Sequence, residues 1–226
     1  MSVYKPEIQA VIFDSDGTVL DTLNLYYIAM TKLVPPPYPQ SLVDEINGRS
    51  DLDVARAMIK HYNLDTTPEA FAKKRLEILD SLLPTCKTVK GVERIINKIH
   101  EMGIPMAVAT SSCRSAHEAK IINHNELFSN FVATICGDEV KETKPNPTIF
   151  QLASGKLGHF NPENVLVFED AFHGIGAANA AGMPSVFLVD NKEKAKENMD
   201  KMNLKTQVMI TSYEDFDFGS FNWAKH

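Results

Sequence analysis

Six short apolar runs, separated by stretches long enough for helices, constrain this chain more than any other feature. They are Ala10-Val11-Ile12-Phe13, Pro105 to Ala109, Phe131 to Ile135, Val165 to Phe168, Ser185 to Val189 and the weaker Gln207 to Ile210. Runs of four or five apolar residues read as buried strands. Between them, Val92, Ile95, Ile96 and Ile99 fall at i, i+3, i+4 and i+7, and Ile149 to Leu157 carries a similar helical pattern. Strands alternating with helices predict an α/β fold, a doubly wound, Rossmann-like parallel sheet covered on both faces.

One segment breaks the alternation. Residues 22–85 contain helical patterns at Leu52 to Tyr62 and Pro68 to Leu83 but no strand. They are expected to form an α-helical cap domain inserted into a core made of residues 1–21 and 86–226, with hinges near Val19 to Thr22 and Pro84 to Val89. Pro35-Pro36-Pro37-Tyr38 formally matches a proline-rich P-P-x-Y ligand, but a loop between two cap helices is the expected role.

The strand ends carry the chemistry. Phe13 is followed by Asp14-Ser15-Asp16-Gly17-Thr18, with Gly17 breaking the strand so that both carboxylates project from its carboxyl end. In an open α/β sheet, ligands bind at that end. One such carboxylate can bind a hard cation and attack phosphorus, while its neighbour carries protons. The ligated one is expected to stay ionised and the other to have a raised pKa. After the second run come Thr110-Ser111-Ser112 ahead of a helix, hydroxyls and free N–H groups suited to phosphate. Lys144 lies in Lys144-Pro145-Asn146-Pro147, where the prolines restrict the backbone so that the ammonium is held and can neutralise phosphate charge. Glu169-Asp170 follows Phe168, and with Asp14 and the backbone carbonyl of Asp16 would complete an oxygen-rich Mg²⁺ site. Gly174-Ile175-Gly176 does not extend to a dinucleotide fingerprint, because Asn179 stands where the third glycine would be.

Composition removes several classes. With a net charge of −6 and no Lys/Arg cluster, nucleic acid is not an expected partner. No run is long enough to span a membrane and the first residues lack a signal peptide's apolar region, so a cytoplasmic location is expected. Cys86, Cys113 and Cys136 are odd in number and widely spaced, which reads as reduced thiols.

The order of acid pair, hydroxyl, lysine and acid pair along the chain resembles the haloacid dehalogenase-like superfamily. The helical insertion after the first motif is similar to the cap of its beta-phosphoglucomutase-like group, and the motif stretches look most like pseudouridine-5′-phosphatase-type members. The resemblance implies a Mg²⁺-dependent hydrolysis of small phosphorylated metabolites, sugar phosphates or nucleoside monophosphates. Asp14 would be the nucleophile, Asp16 the general acid and base, and Thr110 and Lys144 would hold the phosphoryl group. Ser111 and Ser112 would bind substrate, and Asp14, Asp16, Asp170 and Glu169 would hold the metal. In the cap, Arg49 of Asn47-Gly48-Arg49-Ser50 resembles a specificity-loop residue. Tyr26, where mutases tend to carry histidine, favours hydrolysis over the alternative of a sugar phosphomutase. A phospho-accepting signalling module is disfavoured by the cap and by the late acid pair. A monomer is expected.

Overall fold

The computed structural model describes residues 7–46 and 51–224. In chain order the elements are β1 (Glu7–Ile8), β2 (Ala10–Phe13), α1 (Thr22–Leu33), α2 (Gln40–Ile46), α3 (Asp51–Tyr62), α4 (Pro68–Leu82), α5 (Val92–Glu101), β3 (Met106–Ala109), α6 (Arg114–Ile121) and α7 (Asn125–Phe128). There follow β4 (Phe131–Ile135), α8 (Thr148–Leu157), β5 (Val165–Glu169), α9 (Phe172–Ala180), β6 (Ser185–Leu188), α10 (Lys192–Met202), β7 (Val208–Ile210) and β8 (Asn222–Trp223). Two compact units emerge: one runs to Asp21 and resumes at Cys86, and the other is Thr22–Thr85.

The larger unit is built on a six-stranded, all-parallel sheet in the order β4-β3-β2-β5-β6-β7. Counting from β2, this is the 3-2-1-4-5-6 order of doubly wound sheets. The chain winds outward through β3 and β4, then returns to start again at β5 on the other side of β2. The carboxyl ends of β2, β3 and β5 therefore meet where the winding reverses. Every residue of β2, β3 and β5 is buried, which explains runs that are continuously apolar rather than alternating. On α5, Val92, Ile95, Ile96 and Ile99 form one fully buried face. On α8, Ile149, Phe150 and Ala153 pack into the cluster containing Ile12, Ala107, Ala109 and Val167. Directly beneath the strand ends, Phe13 and Phe168 stack with centroids 4.6 Å apart and planes 8° apart, and Phe131 meets Phe13 edge-on at 5.8 Å. Phe13 and Phe168 sit immediately before Asp14 and Glu169 in the chain, so their packing fixes where both carboxylates begin.

The smaller unit is helical: α1 to α4 enclose Met30, Val34, Leu42, Val54, Met58 and Phe71. Thr67 caps α4, its hydroxyl accepting from the Ala70 N–H at 3.2 Å, with Pro68 at the first helical position. Pro35-Pro36-Pro37-Tyr38 lies between α1 and α2, pinned as Tyr38 donates to the Val34 carbonyl at 2.5 Å. The pairing of β1 with β8 has no counterpart in the sequence-based expectation, since two-residue strands leave no periodicity to detect.

Candidate active site

Asp14 emerges from β2 with its N–H donating to the Phe168 carbonyl of β5 at 2.9 Å. The chain then turns tightly. The Ser15 carbonyl accepts from the N–H groups of Val19 and Leu20, and Gly17 adopts φ +86°, a left-handed conformation suited to glycine. Space demands glycine as well, because a Cβ at Gly17 would stand 2.0 Å from Oδ2 of Asp170. Thr18 donates its hydroxyl to Asp170 Oδ1 at 3.2 Å, and the buried Tyr213 hydroxyl supports the turn by donating to the Thr18 carbonyl at 3.0 Å. The acid pair that follows β2 and the one at the end of β5 are thus packed together at this turn.

Lys144 is held as its proline-flanked setting predicts. Its ammonium is buried and donates to Asp14 Oδ1 at 2.6 Å, to Glu169 Oε1 at 2.8 Å and to the Ala109 carbonyl at 3.0 Å, and it stands 4.7 Å from the centre of the Phe150 ring. Three acceptors satisfy its three protons, and the two carboxylates raise its pKa against the opposing effect of burial. The second oxygen of Glu169 accepts from the N–H groups of Asp170 and Ala171 at 2.9 and 2.8 Å, which binds this carboxylate to the start of α9. Gly174 makes room for it: a Cβ there would lie 1.7 Å from Glu169 Oε1.

Carboxylate oxygens of Asp14, Glu169 and Asp170 lie within 4.8 Å of one another. Burial and the nearby carboxylates raise Asp14 to about 7, despite the opposing pull of Lys144. Asp170 is raised to about 8 by burial and by Asp14 and Glu169. Three carboxyl groups facing one ammonium are short of positive charge, and an all-oxygen donor set of this kind suits a hard divalent cation.

Asp16 points to a different set of neighbours. Its Oδ2 accepts from the hydroxyls of Thr110 at 3.0 Å and Ser112 at 2.9 Å, and its Oδ1 from the ammonium of Lys120 at 2.5 Å. Lys120 also donates to Ser112 Oγ at 2.7 Å. Burial would raise the Asp16 pKa, but Lys120 and the two hydroxyls outweigh it and hold the carboxyl below its usual range. The expected order refers to an Asp14 that ligates a metal; with no cation bound, Asp14 is raised and Asp16 is held low. The cause at Asp16 is Lys120, a residue the sequence did not single out. In the run Arg114 to Ile121 it looks like an ordinary solvated lysine; its one signal is a position three residues after His117, which places both on the buried face of α6.

Ser111 is exposed, and its carbonyl lies against Gly137, where a Cβ would come within 2.2 Å. Tyr26, in the helical unit, is exposed, with the guanidinium of Arg75 5.3 Å from its ring centre. Arg49 lies outside the described residues. A second acidic group, Cys136, Asp138 and Glu139, is already engaged by Arg114, whose backbone N–H donates to Asp138 and whose guanidinium pairs with Glu139.

Acidic, hydroxyl and lysine side chains thus converge where the winding of a parallel α/β sheet reverses, a setting suited to holding a cation and a phosphate group. Residues 11–188 match the haloacid dehalogenase-like hydrolase family. A probable pseudouridine-5′-phosphatase of Drosophila melanogaster is 35% identical over 212 residues, covering 91% of this chain and 90% of that protein. The mitochondrial (DL)-glycerol-3-phosphatase 1 of Arabidopsis thaliana is 34% identical over 228 residues, covering 96% of this chain and 74% of that one. Among solved structures, a putative beta-phosphoglucomutase from Thermotoga maritima superposes with a TM-score of 0.74 at 26% identity, covering 92% and 96% of the two chains. The chain belongs to the haloacid dehalogenase-like hydrolase family, and its phosphatase relatives mark it as a phosphoric monoester hydrolase. Among the described residues no helix is long and apolar enough to cross a membrane.

Proposed function

We propose that this protein hydrolyses the phosphate monoester of a small sugar or nucleoside through an aspartyl-phosphate intermediate on Asp14, with Mg²⁺ as cofactor. The observation that carries this reading is the setting of Asp14. Its carboxylate is gripped by the buried Lys144 at 2.6 Å, beside Asp170 and Glu169, two residues from a second carboxylate held by three separate donors.

In the first step a carboxylate oxygen of Asp14 bonds to phosphorus in line as the bond from phosphorus to the ester oxygen breaks. Asp16 gives its proton to the departing alcohol. Water then attacks the phosphorus of the aspartyl phosphate, Asp16 takes its proton, and inorganic phosphate leaves with Asp14 restored. Lys144 orients Asp14 and offsets phosphoryl charge, and the hydroxyl of Thr110 would turn from Asp16 to a phosphoryl oxygen. The ionised Asp16 that Lys120 favours suits the second step directly. For the first, the negative charge of an incoming phosphate dianion raises the affinity of Asp16 for a proton. Mg²⁺ would be held by Asp14, Asp170 and the Asp16 carbonyl, where it supplies the positive charge this cluster lacks. Glu169, already accepting three hydrogen bonds, chiefly orients Lys144 and the start of α9. Its cysteines are free thiols, which supports a reducing, cytoplasmic setting.

The phosphatase-named relatives favour hydrolysis over phosphoryl transfer between sugar positions. The test is phosphate release from a panel containing pseudouridine 5′-phosphate, other nucleoside monophosphates, glycerol 3-phosphate and β-glucose 1-phosphate, with and without Mg²⁺, beside an Asp14→Asn control. Metal-dependent release that the control lacks is expected. Conversion of β-glucose 1-phosphate to glucose 6-phosphate without release would make the enzyme a mutase.

A further inference from the structure

Lys120 is buried, 3% exposed, at the end of two turns of α6, yet the carboxylate it meets has a side chain 28% exposed. Burying an ammonium costs several kcal/mol unless the cation is paired and its protons are used. A structural lysine would lower that cost by reaching solvent along its flexible stem. Lys120 instead turns inward to Asp16 Oδ1 at 2.5 Å and Ser112 Oγ at 2.7 Å. Ser112 in turn donates to Asp16 Oδ2 at 2.9 Å, and its own N–H donates to Thr110 Oγ1 at 3.1 Å. The result is a closed ring of hydrogen bonds in which Thr110, Ser112 and Lys120 all aim at one carboxylate. Each of the three belongs to β3, α6 or the loop joining them, so a single supersecondary unit sets the position of Asp16.

Resting on the hydrolytic reading above, we propose that Lys120 is a positioning residue of the reaction. Its ammonium fixes both oxygens of Asp16, directly and through Ser112, and so sets the point from which a proton reaches the leaving alcohol. Side-chain placement of this kind matters to within about 0.5 Å for a proton-transferring group. The consequence depends on the leaving group. An alkyl phosphate needs its departing oxygen protonated, whereas p-nitrophenolate leaves without that help.

The experiment compares kcat/KM for glycerol 3-phosphate, or whichever alkyl phosphate the panel ranks first, with kcat/KM for p-nitrophenyl phosphate. Wild type, Lys120→Met and Lys120→Arg are measured, each with its thermal unfolding midpoint. For Lys120→Met the alkyl ester is expected to lose roughly 100-fold or more, within the range of general acid catalysis, and the aryl ester less than about tenfold. In an Asp16→Asn background the same substitution is expected to change the aryl ester by less than about twofold, since Lys120 acts through Asp16. Equal losses on both esters, or an additive loss in the Asp16→Asn background, overturn the proposal and leave Lys120 a structural or phosphate-binding cation. If Lys120→Met does not fold, Lys120→Arg carries the test. It keeps the charge but changes the donor geometry, and a smaller loss that still falls mainly on the alkyl ester is expected, with an equal loss again overturning the proposal. Failure of wild type to hydrolyse any ester would instead refute the hydrolytic reading itself.

Discussion

On the β5–α9 side of the site, carboxylates outnumber cations; on the β3–α6 side, donors outnumber acceptors. The first side gathers Asp14, Glu169 and Asp170 around Lys144, and there burial and mutual repulsion raise Asp14 to about 7 and Asp170 to about 8. The second side gathers Thr110, Ser112 and Lys120 around Asp16 and holds that carboxyl low. Even an imidazole is affected there. His117, buried on α6 against Phe128, is pushed down to about 4 by burial and by Lys120. Two aspartates separated by a single serine therefore have opposite proton affinities, because each faces a different arm of the fold. Chemistry that needs both a charge-collecting centre and a proton-handling centre is served by this division.

The sharpest way to break the comparison is at its hinge. Asp14→Asn keeps the shape but removes the proposed nucleophile, and turnover of the best substrate should fall by roughly 10⁴-fold or more, on the scale seen when a hydrolase loses its nucleophile. Steady-state phosphate release measures it, and near-normal activity would end the assignment. Next comes Gly174→Ala, which touches only the acceptor-rich side. The added methyl needs the space of Glu169 Oε1, so it should dislodge the carboxylate from Lys144 and destabilise the protein by about 3–5 kcal/mol, as breaking a buried ion pair does. Chemical denaturation measures the change, and an unchanged midpoint would show that the cradle is not tight.

The third test contrasts the two sides by pH. His117 has a folded pKa of about 4 against an ordinary 6.5, so the unfolded chain binds the extra proton first. Its contribution is full above pH 6.5 and is lost as pH falls toward 4, on the order of 3 kcal/mol in all. His117→Phe should be less acid-sensitive than wild type by that amount over this window, as read from unfolding free energies at several pH values. Asp14 and Asp170 run the other way. Their folded pKa values lie above the ordinary 3.8, so their contribution is full below pH 4 and is lost as pH rises toward 8. Mg²⁺ should therefore raise the melting temperature more at pH 8 than at pH 5, with about 2.7 kcal/mol gained at a hundredfold excess over its Kd. Equal shifts at the two pH values would separate the cation from this carboxylate cluster.

The acceptor-rich side was legible in the sequence, and the donor-rich side only in part. Asp14, Asp16, Lys144, Glu169 and Asp170 each stand at a position that the backbone marks: a glycine break after an apolar run, a lysine between prolines, an acid pair ending a strand. Thr110 and Ser112 are marked in the same way by the end of β3. Lys120 is marked by nothing local, since its partner Asp16 is 104 residues away and only the docking of α6 against the first turn brings them together. Gly174 stands out in the sequence only through Gly174-Ile175-Gly176, and its reason, room for the Glu169 carboxylate, is a tertiary fact. The low pKa of Asp16 is hidden from the sequence for the same cause, because the sign of a pKa shift depends on neighbours that spacing does not show.

The reversal of winding at β2 also dictates a sequence of events during synthesis and folding. The partners of Asp14 stand 130 residues and more downstream, at Lys144 and beyond, and β5 must pair beside β2 before Glu169 can accept from that ammonium. The opening strand thus occupies the middle of the finished sheet with both of its edges waiting for later arrivals. Contacts of such long range are slow to close and leave those edges exposed meanwhile. Asp14 is among the first residues made and among the last to gain its partners, so a chain cut short before residue 170 would carry this aspartate without the carboxylates that surround it in the finished site.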